Sequence, residues 1–96
     1  MGANTFMVKS NGISAKDAFA SATSEARYMY GHAGYTGTIA EKDKFVMIEC
    51  PKGAIPEEYA MELIDRDDYR IDDKWGPAGC ISLGNDQFLF FGWASS

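Results

Sequence analysis

The sequence predicts an α+β domain: a mostly antiparallel sheet of about five short strands, with a pair of helices packed on one face, in the order β-α-β-β-α-β-β. Three observations carry this. Apolar residues recur at helical spacing from Ala15 to Ala33. A second, shorter helical run follows Pro56. Apolar residues cluster on either side of Gly84-Asn85-Asp86, as in a closing hairpin.

Phe6, Met7 and Val8 form the first strand, and Asn11-Gly12 turns the chain. Ser14 is the expected N-cap of the first helix, with Asp17 in the position of a weak capping box. The apolar stripe Ala15, Ala18, Phe19, Ala22, Ala26, Met29 and Ala33 is rich in alanine, so the helix can lie close on a sheet. Gly31 or Gly34 ends it, because glycine adopts the left-handed C-cap conformation without a steric penalty. Thr36 to Glu41 and Lys44 to Cys50 read as strands around a charged Lys42-Asp43 turn. Pro51, Gly53 and Pro56 punctuate a loop, and the second helix runs from Glu57 to about Asp65 with Ala60, Leu63 and Ile64 facing inwards. Tyr69 to Lys74 fits a loop or a short strand, and Trp75-Gly76-Pro77 breaks it. Cys80 to Leu83 and Gln87 to Trp93 make the last hairpin. On its second strand, Phe88 and Phe90 point one way and Leu89, Phe91 and Trp93 the other. Helices on one face leave the other apolar row to be covered, by sheet curvature or the 66–78 segment, or else at a homodimer or partner interface.

A chain of 96 residues with 46% hydrophobic and 14% aromatic content supports one globular domain, residues 1–96. No apolar run reaches the roughly 18 residues needed to cross a bilayer. Met1 to Lys9 lacks the basic and apolar regions of a secretory signal, so the expected location is cytoplasmic. Cys50 and Cys80 are too few for a disulfide framework and are expected as reduced, packed thiols. Residues 57–73 hold eight carboxylates against two arginines, a net −6 that exceeds the −5 of the whole chain. Such a chain lacks the basic footprint of a nucleic-acid binder. A protein partner with a basic surface fits it better, with no membrane involved.

Gly31-His32-Ala33-Gly34-Tyr35-Thr36-Gly37 contains the single histidine within a permissive backbone. Gly31, His32, Gly34, Tyr35 and Gly37 are therefore the candidate small-ligand residues, with Tyr30 and Lys42 nearby. The segment follows a helix instead of preceding one and matches neither nucleotide-binding glycine motif. A plain C-cap and tight turn is the competing reading. Neither cysteine stands in a nucleophile signature, and no paired spacing of a zinc site occurs. An EF-hand loop begun at Asp65 would put Arg70 where glycine is required and Gly76 where glutamate is required. No catalytic residue, metal ligand or cofactor is assigned. The acidic run, specifically Glu62, Asp65, Asp67, Asp68, Asp72 and Asp73, is either a solvated surface or a docking surface. Leu89, Phe91 and Trp93 are the candidate partner-binding or self-association stripe.

Gly31 to Lys42 (GHAGYTGTIAEK) and Phe90 to Ser96 (FFGWASS), together with Trp75-Gly76-Pro77-Ala78, resemble segments of small uncharacterised phage- and prophage-encoded proteins. The resemblance covers about a quarter of the chain and carries no assigned activity or site residue. It implies a viral accessory role in the host cytoplasm. The expectation is a small acidic, non-catalytic interaction protein that binds and modulates a host protein, for instance as an inhibitor of a defence system. The alternatives are a small-ligand or nucleotide-binding module at Gly31–Gly37 and a self-associating structural protein.

Overall fold

The computed structural model describes residues 2–31 and 35–96, and its class is α+β. The elements are β1 (Ala3–Asn11), α1 (Ala15–Tyr30), a 3₁₀ turn (Ile39–Glu41), β2 (Phe45–Met47), α2 (Pro56–Asp65), β3 (Ala78–Gly84) and β4 (Gln87–Ser95). The sheet has 4 strands in the order β1-β4-β3-β2. β4 pairs antiparallel with β1 and β3, whereas β2 runs parallel to β3.

The two helices lie on opposite faces of the sheet, which corrects the expectation of one covered face. Ala18, Ala22 and Ala26 of α1 pack with Phe6, Cys80, Phe90 and Ala94. Ala60, Leu63 and Ile64 of α2 pack with Ile71, Ile81, Leu89 and Phe91. The alternation of β4 required this arrangement. A central strand apolar on both sides must be covered on both sides, and the parallel β2–β3 connection carries α2 to the face that α1 leaves open. Leu89 and Phe91 are therefore interior residues, 1% and 0% exposed, with Trp93 half-buried beside them. The expected self-association stripe Leu89, Phe91 and Trp93 is covered by α2 and Ile71 of its own chain.

Local signals explain most of the boundaries. Ser14 Oγ accepts the Asp17 N–H at 3.2 Å as N-cap, and the Gly31 N–H donates to the Arg27 carbonyl at 2.8 Å at the other end of α1. Met29 leaves the buried stripe and is 65% exposed. The strand expected at Thr36 to Glu41 is instead a loop and 3₁₀ turn, capped by Thr38, whose hydroxyl accepts the Ala40 N–H at 3.2 Å. Lys44 to Cys50 contracts to Phe45–Met47, while β1 is longer than expected because β4 pairs along all of it. Gly79 faces Phe91 across the β3–β4 pair, and a Cβ there would come within 2.7 Å of the Phe91 ring. The ring occupies the space left by the missing side chain, which seals the α2 face of the sheet.

Candidate functional site

Gly37, the last residue of the glycine segment, is bound to the end of the sheet. Gly31 has φ 89° and Gly37 φ 71°, both in the left-handed region. The Gly37 N–H donates to the Ser95 carbonyl at 2.7 Å, and a Cβ on Gly37 would approach the Asn4 amide nitrogen to 2.6 Å. Thr36 donates through its N–H (3.1 Å) and hydroxyl (2.7 Å) to Glu41 Oε2. Burial would raise the Glu41 carboxyl, but these bonds, a backbone contribution from Tyr35 and the Arg27 charge outweigh it and hold it below the usual range. His32 and Gly34 lie outside the described residues. Tyr35 is exposed and meets the Trp75 ring edge-on, with centroids 5.9 Å apart.

Lys42 is turned away from this segment and into the protein. Its side chain is 1% exposed, and Nζ donates to the carbonyls of Gly76 (2.8 Å), Lys74 (3.1 Å) and Asp73 (3.4 Å). Burial pushes the amine below the usual lysine value, and the Asp73 and Asp43 charges act in the opposite sense. An ammonium with each of its three protons donated is a clamp on the 73–76 loop, which covers this end of the sheet. Sequence reading missed this role. A lysine beside an aspartate between apolar runs has the pattern of an exposed turn, and nothing local distinguishes the two.

The acidic run divides into two kinds of carboxylate. Asp68 accepts two bonds from the Arg70 guanidinium, at 2.8 and 3.0 Å, and the Arg70 backbone N–H at 3.0 Å. Hydrogen bonding by Arg70 lowers the Asp68 carboxyl to about 2, and Asp68 in turn raises Arg70 above its usual value. Asp73 Oδ1 accepts the Trp75 N–H at 2.8 Å. These two acids build the loop that follows α2. Glu62, Asp65, Asp67 and Asp72 face solvent, Glu62 lying 3.5 Å from Arg66 one helical turn on.

The structure adds Glu57, Glu58, Met7 and Met61 to the acidic surface. Together with Glu62, Asp65 and Arg66 they line a groove of about 630 Å³ between α2 and β1. Its lining combines two thioethers with four carboxylates and the Arg66 guanidinium. Lys9 of β1 reaches Glu57 at 2.6 Å, and that bond draws the exposed Glu57 carboxyl below its usual value. Glu57 and Glu58 were legible as charges, but the participation of Met7 and Lys9 depends on β1 being the strand beside α2.

The two cysteines differ in burial, Cys80 being buried and Cys50 partly exposed. The Cys80 thiol is pushed up to about 12 by burial and is protonated at neutral pH. Cys80 packs on the α1 face and Cys50 on the α2 face, so the free thiols do not meet. Among the described residues, no group of three metal-ligating side chains converges, and no helix is long and apolar enough to cross a membrane. No family model, curated protein or solved structure matches the chain.

Proposed function

We propose that this chain is a non-catalytic protein-binding module that takes a basic segment of another protein into the groove between α2 and β1. One observation carries the reading: the carboxylates of Glu57, Glu58, Glu62 and Asp65 line one groove together with the side chains of Met7 and Met61. Thioethers accommodate varied aliphatic stems, and the carboxylates receive the cationic heads of lysine or arginine. The groove is acidic on balance: Lys9 and Arg66 each meet one of its carboxylates, leaving a negative excess, while Lys16, Arg27 and Lys44 gather beside α1 and β2. A concentrated field of this kind accelerates encounter with a basic surface and weakens with salt. The phage resemblance suggests the setting, an accessory role with a host protein as partner.

The test is calorimetric titration with a lysine oligopeptide. Neutralising the groove (Glu57→Gln, Glu58→Gln, Glu62→Gln, Asp65→Asn) should weaken binding about tenfold or more and flatten its salt dependence. Neutralising four carboxylates elsewhere (Asp17→Asn, Asp43→Asn, Glu49→Gln, Asp86→Asn) should change it much less. Equal losses in both variants would reduce the acidic groove to bulk charge and refute the reading.

A further inference from the structure

The deciding feature is the open edge of the sheet beside that groove. β1 is an outer strand, and its ladder with β4 is regular over 9 residues. Gly2 and Ser96 exchange both N–H···O bonds at the start of this register, and the Gly12 N–H donates to the Asp86 carbonyl at its end. Bonded and non-bonded pairs alternate in an antiparallel ladder, so the even-numbered residues of β1 bond to β4. The backbone N–H and C=O groups of Ala3, Thr5, Met7, Lys9 and Asn11 therefore point away from the sheet, where no further strand pairs with them among the described residues.

From these observations we infer that the partner enters as an extended segment that adds to β1 as a fifth strand. The inference rests on the acidic-groove reading and specifies the conformation and side-chain pattern of what binds there. A strand laid on β1 sends alternate side chains to opposite faces. On the α2 face they meet the carboxylate-lined groove. On the α1 face they meet a second groove of about 320 Å³ containing Val8, Ala26, Met29 and Tyr30, the last two being 65% and 57% exposed. The complementary segment alternates basic with apolar residues: main-chain bonds supply affinity and the two grooves supply specificity. Lys9 already occupies Glu57. It serves as the charge that protects a free edge from indiscriminate pairing, and a basic residue of the incoming strand displaces it. A second copy is the poorer occupant, because antiparallel β1–β1 pairing places both carboxylate-rich α2 helices on the same face of one continuous sheet.

The test uses a nine-residue peptide alternating lysine and valine, the length of β1 (9 residues), and a peptide of the same composition with the two residue types in separate blocks. The alternating peptide should bind at least about tenfold more tightly, since only it presents one chemistry to each face. It should also slow hydrogen exchange at the amides of Ala3, Thr5, Met7, Lys9 and Asn11. Thr5→Pro removes one outward donor, leaves the β4 ladder and all the carboxylates intact, and should weaken binding about tenfold. Should Thr5→Pro fail to fold, the amide exchange of the unaltered protein decides alone. Unslowed exchange, or absence of binding by the alternating peptide, overturns strand addition. The acidic-groove reading is judged separately, by the lysine oligopeptide and the groove variant. Slowing of the same amides with rising protein concentration and no peptide would assign the edge to a second copy and likewise overturn the inference.

Discussion

Replacing Lys42 by methionine tests the loop clamp and lets its magnitude be worked out bond by bond. The substitution keeps the length and apolar stem of the side chain and removes only the ammonium. Of the three acceptors, the Asp73 carbonyl keeps the Gly76 N–H as a partner at 2.9 Å. The Lys74 and Gly76 carbonyls lose the bonds at 3.1 and 2.8 Å. Two charge-assisted bonds at about 1.5–3 kcal/mol each give a loss of about 3–6 kcal/mol. Two effects offset part of it: an ammonium no longer has to be buried, and water can reach carbonyls in a loop whose Asp73 and Trp75 are exposed. The expected net destabilisation is about 2–3 kcal/mol, which in a domain of this size lowers the Tm by about 10–20 °C. Thermal unfolding followed by circular dichroism measures the total, and hydrogen exchange of residues 73–76 locates it. An unchanged Tm with unchanged exchange in this loop would refute the clamp.

Asp68→Asn removes the acceptor of the Arg70 fork. A carboxyl lowered to about 2 stabilises the fold above the ordinary aspartate value and loses that contribution as pH falls from about 4 towards about 2. With solvent screening allowed for, denaturant titrations should show the unaltered protein losing about 1–2 kcal/mol more than Asp68→Asn over this range, and parallel pH profiles would contradict the pairing. Phe91→Lys puts an unpaired ammonium into the face sealed by α2 and should cost at least about 4 kcal/mol, a large fraction of a typical domain's stability. Loss of the circular-dichroism signal or a much lower Tm is expected, whereas a stably folded monomer would refute the placement of Phe91 in the core.

Much of the fold was legible because local physics sets it. Ser14, the alanine stripe and Gly31 delimit α1; Pro56 and the spacing of Ala60, Leu63 and Ile64 delimit α2; the turn at Asn85-Asp86 sets the β3–β4 hairpin. The acidic bias of residues 57–73 is likewise a property of the chain itself. The alternation of Phe88 and Phe90 with Leu89, Phe91 and Trp93 stated that both faces of this strand would be apolar, but not what would cover them.

Only the tertiary structure decided that. Strand order places β4 between β1 and β3 and leaves β1 at an edge, because pairing between distant segments depends on which backbones meet and not on any local pattern. From that order follow the helices on opposite faces, the burial of Leu89 and Phe91, and the meeting of Met7 and Lys9 with the carboxylates of α2. Likewise, the charges of Lys42, Asp68 and Asp73 look alike along the chain. Their roles diverged because the fold set carbonyls around Lys42 and the Arg70 guanidinium against Asp68, and a charge acquires its function from the groups brought within about 3 Å of it.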